Sequence, residues 1–227
     1  MEPGLIIFVL VALLMVVAVI GSLIAARKRR EAMRLLAERL GLAFNPDKDY
    51  GLADRFSFLN KLRQGDNRYA FNVLSGAYQG QEVLAFDYHY ETHSTDSKGN
   101  RQTHHHHFSF FILFLPRPCP ELVIGREGLF SKLAQAFGYD DIDFESAEFS
   151  RKFCVRSRDK RFAYDICHPR FMEYLLANDD LSLEFESSVV ALGFGQRLAA
   201  SEIERNLRRL LEIRALLPEY LFNPVGT

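Results

Sequence analysis

From Leu5 to Ala26 the chain carries no charged residue and, apart from Gly21-Ser22, only apolar ones. Wound as a helix, this stretch is about 33 Å long, enough to cross a hydrocarbon core of about 30 Å. A cleaved signal sequence is the competing reading. Against it, the opening MEPG has Glu2 where a signal has basic residues, and the apolar run outlasts an h-region of about 7 to 15 residues. The expectation is a short tail over residues 1–4 and a transmembrane helix over 5–26.

Arg27-Lys28-Arg29-Arg30 follows at once, and no Lys or Arg precedes the span. The positive-inside rule then puts the amino terminus outside and everything after residue 26 in the cytoplasm, a single-pass protein of the cell membrane. The four charges are also expected to grip anionic headgroups, each contributing about 1 kcal/mol near the surface. The lipid bilayer is thus the first expected partner. Over 27–42 a basic juxtamembrane helix continues, with Met33, Leu36 and Leu40 at helical spacing and Gly41 as its cap. That stripe is expected to pack on the following domain. The alternatives are a helix lying in the interface or pairing with a second copy, a homo-oligomer.

Residues 43–227 show neither internal repeat nor Gly-Ser linker and are read as one cytoplasmic domain. Hydrophobic residues make up 48% of the chain and charged ones 25%, so a core can form. The net charge of -1 argues against nucleic acid as a partner, since phosphate binding needs a basic surface. Cys119, Cys154 and Cys167 are odd in number and widely spaced, which fits free thiols in a reducing compartment and neither a disulfide framework nor a zinc ribbon.

Period-two alternation over RYAFNVLSGAYQGQEVLAFDYHYET, with turns at Gln79-Gly80 and Ser97-Lys98-Gly99-Asn100, predicts a meander of strands at 69–78, 82–92 and 103–115. GLADRFSFLNKL before it reads as a short helix or turn packing Phe56, Phe58 and Leu59. Pro116-Arg117-Pro118-Cys119-Pro120 is expected to make a corner before a new strand, ELVIG, and REGLFSKLAQAFG to form a helix with Leu129, Leu133 and Phe137 on one face, closed by Gly138. FCVRS reads as a strand, Pro169 as the start of a helix, LSLEFES with VVALGF as a hairpin, and Ser201 to Glu204 as a capping box opening the last helix. Together these predict an α+β fold: a transmembrane helix followed by an antiparallel sheet with packed helices.

Six of the seven histidines, His89, His93 and His104 to His107, fall on two strands joined by one hairpin. Alternation separates His104 and His106 from His105 and His107. Two members of the tetrad with His89 or His93 could supply three imidazoles to zinc or nickel, and the candidate ligands are His89, His93, His104 and His106. The spacing matches no established zinc motif. The preferred reading is a polar strand opening whose imidazoles pair with Glu91 and Asp96, so no cofactor is assigned. A second polar concentration places Asp140, Asp141, Asp143, Glu145 and Glu148 before Arg151, Lys152, Arg156, Arg158, Lys160 and Arg161. No nucleophile, phosphate loop or metalloprotease helix accompanies it, and no catalytic residue is assigned. His168, before Pro169, reads as a turn or helix-cap residue.

Glu148-Phe149, Phe153, Val155, Asp159, Ala163-Tyr164, Pro169, Met172 and Leu175 form a pattern that resembles a bacterial single-span, membrane-anchored family built on a domain of unknown function. The order of membrane span, basic cluster, LGLAF, NVLSG and AFDYHYET is similar to members of that group. The resemblance implies anchoring and architecture without an activity, and Thr-rich residues often stand at the tetrad's strand positions in that group. The functional expectation is a non-catalytic binding or scaffold domain that recruits or senses a protein partner at the membrane. Ligand or metal sensing through the hairpin is the alternative, and an enzyme comes third.

Overall fold

A computed structural model describes residues 3–97, 99–126 and 141–222. The first helix, α1 (Pro3–Leu40), runs without a break from the apolar span into the domain. It is long and apolar enough to cross a membrane, and its large apolar side chains from Ile7 to Ile24 are exposed to the surroundings. Ser22 donates its hydroxyl hydrogen to the Val19 carbonyl at 2.7 Å, so the span's hydroxyl is satisfied within the helix.

Met33, Leu36 and Ala37, one helical face, are buried in the main core, with Leu40 half-buried against it. The last turns of α1 are therefore part of the domain, each large buried side chain contributing about 1.5–3 kcal/mol. Gly41 (φ 71°) turns the chain into β1 (Ala43–Asn45). Then α2 (Tyr50–Arg55) is capped by Asp49, whose side chain accepts from the Leu52 N–H.

The sheet is antiparallel. β2 (Asp66–Tyr78), β3 (Gln81–Thr95) and β4 (Arg101–Arg126) form the expected meander. β4 is its spine: it pairs with β3 along residues 101–113, then with β5 (Phe153–Ser157) on that same side and β6 (Leu183–Gly193) on the other. Helices α3 (Ala147–Lys152), α4 (Lys160–Ile166), α5 (Pro169–Ala177), α6 (Ala200–Leu216) and α7 (Glu219–Phe222) complete the described elements.

The apolar run in β4 has both parities filled because both faces of the sheet are covered. Phe111, Leu113 and Leu115 join the core shared with α1, α5 and α6, whereas Phe108, Phe110 and Ile112 join a second core under α2 with Phe56, Leu59 and Leu62.

Three local expectations are corrected. Pro116 to Pro120 make no corner: β4 continues through them, with register shifts between Phe114 and Cys119 and between Cys119 and Leu122. Prolines lack the N–H a regular ladder needs, and the irregular pairing is where they are tolerated. LSLEFES and VVALGF are no hairpin but one strand, β6, with Ser187 at φ 53° opposite the same irregular stretch. Helix α6, expected to be the last, is followed by α7, and its cap is Ala199, whose N–H donates to Glu202 Oε2 at 2.9 Å, two residues before the expected Ser201-Glu204 box. The expected helix bearing Leu129, Leu133 and Phe137 lies outside the described residues.

Candidate functional site

One face of the β3–β4 pair carries a graded series of residues. Register pairs Val83 with Leu113, Ala85 with Phe111, Asp87 with Ser109, His89 with His107, Glu91 with His105 and His93 with Thr103. The apolar pairs belong to the core shared with α1, α5 and α6. Beyond them come a buried carboxylate and then the imidazoles.

Asp87 is fully buried. Arg29 reaches it from α1 with two hydrogen bonds, Nε to Oδ2 at 2.7 Å and Nη2 to Oδ1 at 2.6 Å, while Nη1 donates to the Leu198 carbonyl at 2.6 Å. Asn72 Nδ2 and Ser109 Oγ also donate to the carboxylate, at 2.8 and 3.1 Å. Ser109 Oγ in turn accepts from the Leu198 N–H at 3.0 Å. The paired, hydrogen-bonded carboxylate meets the condition under which a charge is tolerated inside a protein. Arg29 is thus a docking residue and not, as the basic cluster suggested, a headgroup ligand. Arg27, Lys28 and Arg30 remain exposed. Arg30 lines a depression of about 280 Å³ with Lys48, Arg197, Tyr69, Phe71 and His107.

Two bulges in β2 serve this face. Register shifts between Asp66 and Tyr69 and between Phe71 and Leu74 contain Asn67 (φ 47°) and Asn72 (φ 50°). Asn enters left-handed backbone more readily than most residues, and a bulge re-aims side chains. Asn72 is aimed at Asp87. Asn67 serves the histidines: its carbonyl faces His89 Nδ1 at 3.0 Å, and its Nδ2 donates to Glu91 Oε1 at 2.6 Å.

His89, stacked on Tyr69 with centroids 4.5 Å apart, is buried. Its Nε2 lies 3.2 Å from His105 Nδ1 and 3.9 Å from Glu91 Oε1, and His105 Nδ1 lies 3.3 Å from that same oxygen. Burial lowers the affinity of His89 and His107 for protons, reinforced at His107 by the neighbouring His89 and Arg197. Neutral imidazoles are therefore the resting forms of both.

The structure brings His89 together with His105 and Glu91, not with the other expected ligands. His104 and His106 occupy the opposite face, where their Nε2 atoms lie 2.8 Å from Ser94 Oγ and Thr92 Oγ1, and His106 also stacks on Tyr90. His93 pairs with Thr103 Oγ1 at 3.1 Å and Asp66 Oδ2 at 3.6 Å. Alternation separated His105 from His104 and His106 correctly, but the candidates named were His104 and His106, and Glu91 was read only as an ion-pair partner of the imidazoles; strand pairing across the hairpin puts His105 and Glu91 beside His89.

The acid–base segment is structural where described: Arg156 Nε donates to Asp141 Oδ1 at 2.6 Å, and Lys152 meets Glu148 at 3.1 Å. His168 precedes α5 and its Nε2 donates to the Leu216 carbonyl at 2.9 Å. All three thiols are free. Burial pushes those of Cys119 and Cys154 up to about 12, and that of Cys167 higher still, which disfavours the nucleophilic thiolate.

No family model matches the chain, and no curated protein matches it. Among solved structures, the fold is similar to that of the mycobacterial trehalose monomycolate transport factor A, TtfA, at 14% sequence identity and a TM-score of 0.52, covering 89% of this chain and 98% of that one.

Proposed function

We propose that the protein is a membrane-anchored, non-catalytic binding module whose cytoplasmic domain is held in a fixed attitude to the bilayer and recruits a protein partner there. The observation that carries this reading is the docking of α1. The same helix that is long enough to span a membrane enters the core through Met33, Leu36 and Ala37 and is locked by Arg29 on Asp87. Arg39 adds a contact to Glu204 of α6 at 2.6 Å. An enzyme acting on a soluble substrate gains little from such rigidity, whereas a module presenting one face to a membrane neighbour depends on it. Arg30, shortly after the apolar segment in sequence, shares a depression with Lys48, Arg197 and a single acid, Asp47, and the excess of positive charge there adds adhesion to anionic headgroups.

The transport role named for the structural neighbour fits an accessory of this kind, and the resemblance to a single-span bacterial family agrees with the anchoring. We place the amino terminus outside and the domain in the cytoplasm, by the charge asymmetry around the span. Proximity labelling in cells from the full chain tests the reading. A restricted set of integral membrane proteins should be labelled, and the set should change when Arg29→Ala loosens the domain. Equal labelling by a released 27–227 fragment would overturn it.

A further inference from the structure

From the convergence of three donor atoms we infer that His89, Glu91 and His105 form a binding site for a divalent transition metal of the zinc class. The inference goes beyond membrane anchoring and partner recruitment, and stands independently of them.

The distances carry it. Ligands about 2.0–2.2 Å from a tetrahedral zinc lie about 3.3–3.6 Å from one another. His89 Nε2, His105 Nδ1 and Glu91 Oε1 are separated by 3.2, 3.3 and 3.9 Å, close to one face of that tetrahedron before any adjustment.

The tautomer agrees. The Asn67 carbonyl can only accept, so His89 Nδ1 must carry its hydrogen in the 3.0 Å contact. In the neutral ring this leaves the lone pair on Nε2, the atom that faces His105 and Glu91. A carbonyl behind a histidine is the usual support of a metal-bound imidazole, and Asn67 also holds Glu91 through its side chain. One residue thus orients two of the three ligands. Two imidazoles and a carboxylate suit zinc, cobalt or nickel better than calcium or magnesium. His105 is more than half exposed, so a fourth position faces solvent and takes water.

The experiment uses the full chain in detergent, purified through a tag that contains no histidine. After equilibrium dialysis against Zn²⁺, elemental analysis should find one zinc per chain, and Co²⁺ in its place should give the intense visible bands of a four-coordinate site. His105→Gln, at an exposed position, and Glu91→Gln, which keeps the side chain's shape at a half-buried one, should each weaken Zn²⁺ binding about a hundredfold or more, beyond the effect of losing a supporting residue. Asn67→Gly keeps the carbonyl and removes the amide, and should weaken it about tenfold. The double variant His104→Gln, His106→Gln should bind as the parent does. Circular dichroism confirms folding of each variant. Sub-stoichiometric zinc in the parent would overturn the inference. So would binding that survives Glu91→Gln, or that falls with His104 and His106, since either means adventitious chelation by the histidine run.

Discussion

Arg29 and Asp87, 58 residues apart in the chain, meet through a two-pronged ion pair that ties the long apolar first helix to the middle of the sheet. Asp87 has no exposed side-chain surface and Arg29 only 12%.

Removing one partner strands the other in the interior. Arg29→Ala is expected to cost about 3–5 kcal/mol, because the carboxylate stays buried without its charge partner. Replacing both by apolar residues of similar volume should recover most of that loss. Denaturant unfolding of the single and double variants, arranged as a double-mutant cycle, checks both expectations.

The boundary between anchor and domain follows from the same pair. A chain starting at residue 27 retains Arg29 and the Met33, Leu36 and Ala37 stripe and should unfold cooperatively. A chain starting at residue 41 lacks all of them and should lose cooperativity. Equal midpoints for the two fragments would show that the end of α1 is not part of the core.

Glu186 makes stability depend on pH. Burial, and the nearby carboxylates of Glu121 and Glu184, push its carboxyl from an ordinary value of 4.5 up to about 7, against a smaller opposing pull from Arg63 and Arg158. Between these values the folded state holds a proton that the unfolded chain has released, so stability falls as pH rises from about 4.5 to 7 and levels off above. Burial raises Glu184 too, and it acts in the same sense. The lowered His89 and His107 act oppositely: their contribution is present above about 6.5 and is lost as pH falls through their folded values. Glu186→Gln should therefore flatten the downward slope between pH 5 and 7, about the window in which only the folded state is protonated, measured as unfolding midpoint against pH.

Gly65 guards the geometry around Glu91. Its φ is 62°, and a Cβ there would lie 2.1 Å from the Glu91 carbonyl oxygen and 2.7 Å from the Tyr90 ring. Gly65→Ala should destabilise by about 1–3 kcal/mol or more, through backbone strain combined with a clash that only backbone movement relieves. Gly80→Ala, also at positive φ but with no atom within 4 Å, should cost less. Thermal unfolding of the two variants separates clash from conformation.

The long apolar helix, the meander and the α+β class were legible because periodicity and length report them directly. The docking of α1 was legible only in its apolar half: Met33 and Leu36 mark a buried face, but nothing local distinguishes Arg29 from Arg27, Lys28 or Arg30. The signal lay elsewhere, in Asp87, a lone acid inside the apolar strand VLAFDY, which implies a buried cationic partner. Parity alone divided the histidines correctly between two faces. Which of them meet His89 depended on register, set by the hairpin and by bulges at Asn67 and Asn72. Pro116 to Pro120 misled because prolines favour corners, while β4 has partners on both sides that carry it past an irregular stretch.

If Arg29 and Asp87 lock α1 to the sheet, the two move as one rigid body. Spin labels at Ile24 and Tyr50, both about half exposed, place one probe near the end of the span and one on the domain. Measured by electron–electron double resonance in lipid nanodiscs, the parent protein should give one narrow distance distribution, and Arg29→Ala a broad one. A distribution in the parent as broad as in the variant would contradict a rigid docking of α1.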